Sequence, residues 1–292
     1  ITYHTETPME RVIMTHVGLA CRTVVFLGLL VAIAFNAVAV FAAPIPVRFA
    51  EGFAHGYLAL RDENGDRLAD GELIQKSYGH VVDSRLVFRF KDGSLYDERV
   101  SFTQKQVFTL QSYKLVQRGP SFPNTLDISL DRKSSEYRVL TSQDGTPEQK
   151  LTGRLDLPDD VANGMIVTLL RNLTPGRGET VHFLAFTPEP KVLDLKLVPT
   201  ERTTIRIGDL SKPMTRYVIE PKLDSLTMWF GKLLGKLPEK FHYHFWLVTD
   251  EVPTFGGFEG PLHLLGPTWR IEQTVSLNLW SKPNDSTKPT PR

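Results

Sequence analysis

Short alternations of apolar and polar residues dominate the chain from Gly52 onward, and they predict strands. Leu86, Phe88 and Phe90 alternate with Val87, Arg89 and Lys91, so one side of a pleat is apolar. Leu126, Ile128 and Leu130 repeat the pattern. Turn residues stand between such runs. Asn64-Gly65 follows Tyr57–Leu60, and Asn-Gly suits a tight hairpin because both positions tolerate positive φ. Asp92-Gly93 turns the chain after Phe90. Along Val107, Phe108, Leu110, Tyr113 and Leu115 the apolar phase slips after Leu110, which predicts a β-bulge near Gln111-Ser112. No helical period interrupts residues 52–140, so consecutive hairpins in one meander are the simplest topology.

The period changes at Asp159–Leu173, where Val161, Met165, Leu169 and Leu173 recur every fourth residue with Ile166 and Leu170 beside them. This is one helical stripe. Pro158-Asp159-Asp160 offers it a cap and an acidic first turn. Gly164 inside the stripe costs about 1 kcal/mol relative to Ala, a cost that close approach to a sheet explains. Strand-like runs resume at Thr180–Thr187, Val192–Val198, Thr203–Ile207 and Arg216–Ile219. A second helix is predicted over Leu226–Leu237, with Leu226, Trp229, Phe230, Leu233, Leu234 and Leu237 on one face and Pro238 as its stop. Phe241–Val248 and Trp269–Leu279 return to strand. The predicted class is mainly β, a large curved antiparallel sheet or incomplete barrel packed on one or two α-helices.

The first 42 residues read differently. A polar stretch precedes the apolar run Val24–Phe41, which closes on Ala42-Ala43-Pro44. That order is the signature of a secretory signal peptide, and it places the mature chain in the periplasm or outside the cell. An uncleaved membrane anchor is the rival reading; Asn36 and the small-residue exit favour cleavage. Residues 43–280 then form a single β-rich domain, and 281–292 a disordered tail. Cys21 is the only cysteine and lies in the signal, so no disulfide, thiol nucleophile or cysteine metal site is expected downstream. With 34 basic and 33 acidic residues, the charge gives no reason to expect a nucleic-acid partner.

No motif names a reaction. G-x-S-x-G, H-E-x-x-H and the phosphate loop are missing from the sequence. His242 and His244 share one side of a predicted strand but lack a third metal ligand, so two solvated histidines are the simpler reading. Asp62–Asp66 reads as a turn and not as a calcium loop. Asp97-Glu98 is the most informative pair. A two-residue turn at Asp92-Gly93 would set Asp97 opposite Phe88 on the apolar face. A longer loop and a shifted register avoid burying that acid, and are preferred. Arg99 and Arg118 are the alternative partners for it.

Four segments resemble a bacterial family of exported proteins with no assigned activity. They are Asp92-Gly93-Ser94 with Asp97-Glu98 and Phe102-Thr103-Gln104; Val116 to Pro123; Asp156 to Met165; and Phe258 to Leu262 with Gly266 to Glu272. The likeness covers nearly the whole mature chain in order. The family is similar in architecture to the periplasmic lipoprotein carriers, which implies an incomplete antiparallel barrel around helices. No functional residues carry over.

These readings combine into a non-enzymatic carrier of a hydrophobic or lipid-like ligand, with a membrane surface as a further partner and no cofactor. The expected ligand-binding residues are Met165, Leu169, Leu170, Trp229, Phe230, Leu233, Leu234 and Arg118. The alternatives are a cell-envelope hydrolase using Asp97, Glu98, Arg118 and the histidine pair, and a structural or scaffold protein of the envelope.

Overall fold

A computed structural model of the chain describes residue 42 and residues 44–143, 146–186, 189–207, 209–222, 243–263 and 266–274. The chain divides into units Ile1–Phe41 and Ala42–Arg292, and the described residues belong to the second. They form fourteen strands and one short helix. The strands are β1 (Ala54–Arg61), β2 (Arg67–Tyr78), β3 (Val81–Phe90), β4 (Leu95–Gln104), β5 (Phe108–Arg118), β6 (Thr125–Asp131), β7 (Glu136–Ser142) and β8 (Gln149–Arg154). After helix α1 (Ile166–Asn172) come β9 (Glu179–Phe186), β10 (Pro190–Ile207), β11 (Leu210–Pro221), β12 (His244–Val248), β13 (Thr254–Gly260) and β14 (Trp269–Gln273). All join one antiparallel sheet in the order β8-β7-β6-β5-β4-β3-β2-β1-β14-β13-β12-β11-β10-β9. The chain is thus two meanders joined where β1 pairs with β14.

The sheet curls tightly around its apolar face. In sheet order β5 and β9 are ten positions apart. A flat sheet would hold them about 48 Å apart at about 4.8 Å per strand. Instead Tyr113 of β5 and Phe186 of β9 stack at 5.6 Å, with their planes 9° apart. A continuous core lines this concave face, from Leu60, Phe88 and Phe102 through Leu110 and Ile128 to Leu184, Leu197 and Leu247. A smaller cluster of Ile205, Met214 and Val248 lies on the opposite, convex face.

Local sequence explains the register. Asn64-Gly65 forms the β1–β2 turn, with Gly65 at φ +93 and its N–H donating to Asp62 O at 3.1 Å. Ser101 pairs with Ser112 and Phe102 with Leu110, so Gln111 is the extra residue of the predicted bulge. At the β3–β4 turn, Phe90 N–H bonds Ser94 O at 2.9 Å, giving a three-residue loop with Gly93 at φ +86. The register therefore shifts as preferred, and Asp97 faces Val87 on the convex side.

Three segments distant in sequence, around Ser94, Ser121 and Trp269, meet in one cluster. Ser121 N–H donates to Ser94 Oγ at 2.9 Å, and Ser121 Oγ to Asp92 Oδ2 at 2.7 Å. Phe122 then packs edge-on against Trp269 at 5.9 Å and against Phe90 at 5.4 Å. Gly119 (φ +102) has to be a glycine, because a Cβ there would lie 2.6 Å from Ser94 Cα.

The structure corrects the helix expected over Asp159–Leu173. Only Ile166–Asn172 is helical, and no side chain caps it. The edge of the sheet claims the first half. Ala162 donates to His182 O at 2.9 Å and accepts from Leu184 N at 3.0 Å, a parallel bridge to β9. Asp160 binds His182 Nδ1 at 2.9 Å instead of capping a helix. Gly164 sits at φ +67, where a Cβ would meet Tyr113 and Val100 at 3.2 Å. The inferred close approach to the sheet is therefore real, but it occurs before the helix. Two separate strand runs, Val192–Val198 and Thr203–Ile207, are one long strand, β10. β2, β7, β8 and β13 have no counterpart among the individually predicted runs, and β4 is implied only as the partner of β3 across the Asp92-Gly93 turn. Leu226–Leu237 and residues 275–279 lie outside the described residues.

An ion pair pins α1 to the sheet. Arg171 Nη1 reaches both oxygens of buried Glu51, at 2.7 and 2.6 Å, while its Nε donates to Pro253 O at 2.7 Å. Gln75 donates to Glu51 Oε2 at 2.9 Å, and Gln104 brackets the Glu51 backbone from both sides. Removing one member of such a pair leaves a buried charge uncompensated. Arg171→Met should therefore lower unfolding free energy by about 3 kcal/mol in urea titration. A loss below about 1 kcal/mol would show that Glu51 is rehydrated without its partner.

Candidate functional site

Pairing across the concave face sets inward side chains in rows. One row runs Leu58, Gly71, Phe88, Tyr96, Gln117, and all five are buried. The Phe88 ring lies across Gly71, where a Cβ would be 2.3 Å from Phe88 Cε1. The next row runs Gly56, Leu73, Leu86, Glu98, Leu115. Its first four members are only half-buried although they face the core side. Among the described residues nothing lies within 4 Å of the point where a Gly56 Cβ would stand. Half-buried Ile166, Tyr243, Phe245 and Phe255 are also packed against this core. The concave face thus carries an accessible apolar strip with one carboxyl group in it.

Glu98 is held by two phenols. Tyr113 Oη donates to Glu98 Oε1 at 2.8 Å and Tyr96 Oη to the same oxygen at 3.3 Å. Oε2 has no protein donor among the hydrogen bonds of the described residues. Burial pushes the Glu98 carboxyl up; the two tyrosine hydrogen bonds pull the other way, and the net shift is upward from the ordinary 4.5. Burial and the neighbouring carboxyl raise Tyr96 and Tyr113 well above 10. Burial pushes Tyr243 up to about 12. Tyr96 and Tyr113 therefore remain neutral donors to one acid, and Tyr243, near Tyr96, stays neutral as well.

The other sequence candidates do not gather here. Asp97 lies on the convex side between Arg85, with bonds of 2.9 and 2.7 Å, and Arg99, at 3.3 Å. Burial opposes its ionisation, but the arginine hydrogen bonds outweigh that and bring it down to about 2. Of the two arginines the sequence offers for Asp97, Arg99 is a partner and Arg118 is not; Arg85 of β3 takes the other place. Arg118, expected to bind ligand, is exposed on the convex side opposite Leu95. His244 pairs with Val218 on that same side, and His242 lies outside the described residues. Glu98 is therefore on the opposite face from Asp97, Arg118 and His244. Among the described residues no cluster of three or more His, Cys, Asp or Glu could hold a metal ion.

Met165, Leu169 and Leu170 are 3, 3 and 2 % exposed. They are plugs in the core and not walls of an open site. Trp229, Phe230, Leu233 and Leu234 lie outside the described residues. Two hollows occur elsewhere. One of about 540 Å³ opens beside β6–β8, and one of about 130 Å³ lies at the C-terminal end of α1 by Ile45, Asn172 and Leu173. Neither hollow is lined by Gly56, Leu73, Leu86 or Glu98. Among the described residues no helix is long and apolar enough to cross a membrane.

Sequence reasoning missed Gly56, Leu73 and Leu86. The signal available was the register itself. Once Asp97 turns outward, Glu98 must turn inward beside Leu86. Comparisons of the chain with protein-family models, curated proteins and solved structures returned no match.

The raised Glu98 pKa has a definite sign in stability. Between the ordinary 4.5 and the higher folded value, the folded state binds more protons than the unfolded state. This contribution is fully present below 4.5 and is lost as pH rises through the folded value. Glu98→Gln keeps an acceptor for the tyrosines but cannot ionise. Urea unfolding should show its stability, relative to the parent, increasing from about pH 4 to about pH 7. A pH-independent difference would mean that Glu98 ionises in the fold as freely as in water.

Proposed function

We propose that the protein is a non-enzymatic binder of a hydrophobic molecule, which lies along the concave strip and sets a hydrogen-bond donor against Glu98. The observation that carries this reading is the half-buried row Gly56, Leu73, Leu86, Glu98 beside the fully buried row through Phe88 and Tyr96. Apolar surface left accessible on a core-facing side gains free energy when a ligand covers it, at about 25 cal/mol per Å². The free Glu98 oxygen supplies orientation, as the few polar groups of an apolar site do. A donor head is favoured because the site's own donors, Tyr96 and Tyr113, are already committed to Oε1. The signal-like N-terminal segment and the four family-like motifs support work in the periplasm or outside the cell.

The probe of choice is N-phenyl-1-naphthylamine, an uncharged apolar fluorophore with one N–H. It should bind saturably at one site. Gly56→Ile places a branched side chain in the open space over β1, where strand propensity favours it. Probe affinity should fall by about tenfold while melting temperature stays level or rises. Binding as tight in Gly56→Ile as in the parent, or no saturable binding in the parent, defeats the proposal.

A further inference from the structure

The two ends of the sheet are treated differently by the chain. β9 has its outer edge occupied: Ala162 bridges it with two backbone hydrogen bonds, and Asn163 Nδ2 donates to Leu184 O at 2.8 Å. β8 is the other end, and no strand pairs with its outer side among the described residues. Leu155 N–H donates to Ser135 O at 2.9 Å, which fixes the alternation. Odd-numbered β8 residues face β7, so the backbone N–H and C=O of Lys150, Thr152 and Arg154 point away from the sheet.

A hollow lies beside this edge. It holds about 540 Å³ and is lined in part by Glu136, Tyr137, Arg138, Thr152, Gly153 and Arg154. Gly153 leaves it bare on β8, where a Cβ would be 2.7 Å from the Tyr137 hydroxyl. Charge selects the occupant. Lys150 and Arg154 share one side of β8, and both are exposed. Arg154 has only a loose contact with Glu136, at 3.4 Å, and no ion pair is recorded for Lys150 among the described residues. A second copy pairing antiparallel about Thr152 would set Lys150 against Arg154, like charge on like charge, which is unfavourable. An acidic strand meets both cations.

We propose that β8 accepts an additional strand from an extended acidic peptide segment of another protein, with carboxylates four residues apart opposite Lys150 and Arg154. The added strand takes up the outward backbone groups, and its side chains enter the hollow over Gly153. This is strand addition, in which main-chain bonds give affinity and side chains give choice.

The full chain is titrated with the blocked peptide Thr-Glu-Val-Thr-Val-Glu-Thr and with its lysine counterpart, both fluorescently labelled. The acidic peptide should bind saturably, about tenfold more tightly than the basic one. Thr152→Pro removes an outward N–H that β7 does not use, so it should weaken acidic-peptide binding by about tenfold with melting temperature unchanged. Lys150→Glu, which touches no backbone bond, should reduce or reverse the preference between the two peptides. Equal binding of both peptides, no binding of the acidic one, or indifference to both substitutions overturns the proposal. So does a self-associating species that Thr152→Pro dissolves, since the occupant of β8 would then be a second copy.

Discussion

A fourteen-stranded antiparallel sheet with one apolar face cannot lie flat in water. Its apolar side chains have to meet something, and α1, the one helix among the described residues, is at seven residues far too small to cover them. The sheet therefore curls until its own strands oppose one another, and the stacking of Tyr113 on Phe186 across ten strand positions marks where the two sides meet. The other features follow from that curl. The segment between β8 and β9 is drawn against the β9 edge, and the start of the expected helix is lost to it. Gly164 is needed because that segment passes within van der Waals reach of β4 and β5. Arg171 and Glu51 hold α1 inside the curve.

A curled sheet does not fill itself evenly. The row through Phe88 and Tyr96 is dry because an aromatic ring crosses Gly71. The adjacent row has no such ring: Gly56 offers no side chain, and Leu73 and Leu86 are shorter than Phe88. Space remains there, and Glu98 borders it. An acid in that place is costly unless it is hydrogen-bonded, and the two tyrosines answer part of that cost through one oxygen. The other oxygen gives the strip its polar point. Asp97, one residue earlier, has the opposite environment, with two arginines at the convex surface. A single register step decides which carboxylate is neutralised by two arginines on the convex side and which is a candidate for recognition.

The sheet was legible because its cause is local. Alternation in β3 and β6, the Asn64-Gly65 turn, the Gln111 bulge and the shifted loop at Asp92-Gly93 all depend on a few neighbouring residues. The helix from Asp159 was misread because its apolar period is real but competes with an edge strand more than twenty residues away, which no local pattern reveals. Met165, Leu169 and Leu170 were correctly read as apolar and inward, yet an apolar stripe does not say whether it closes a space or fills one. The strip at Gly56, Leu73 and Leu86 depends on cross-strand rows and on a missing side chain, so it appears only when the register of four strands is known.

The central claim is that the Leu86 position is open from the concave side and is the place a hydrophobic molecule covers. Thiol reactivity tests it directly, since Cys21 is the only cysteine and a Cys21→Ser background leaves a single introduced thiol. In the folded protein a Leu86→Cys thiol should react readily with a small maleimide, and saturating N-phenyl-1-naphthylamine should slow that reaction by about tenfold. Val82→Cys, fully buried on the same face of β3, should stay unreactive. A Leu86→Cys thiol that is inert until the protein unfolds, or one whose rate ignores the probe, would contradict the account.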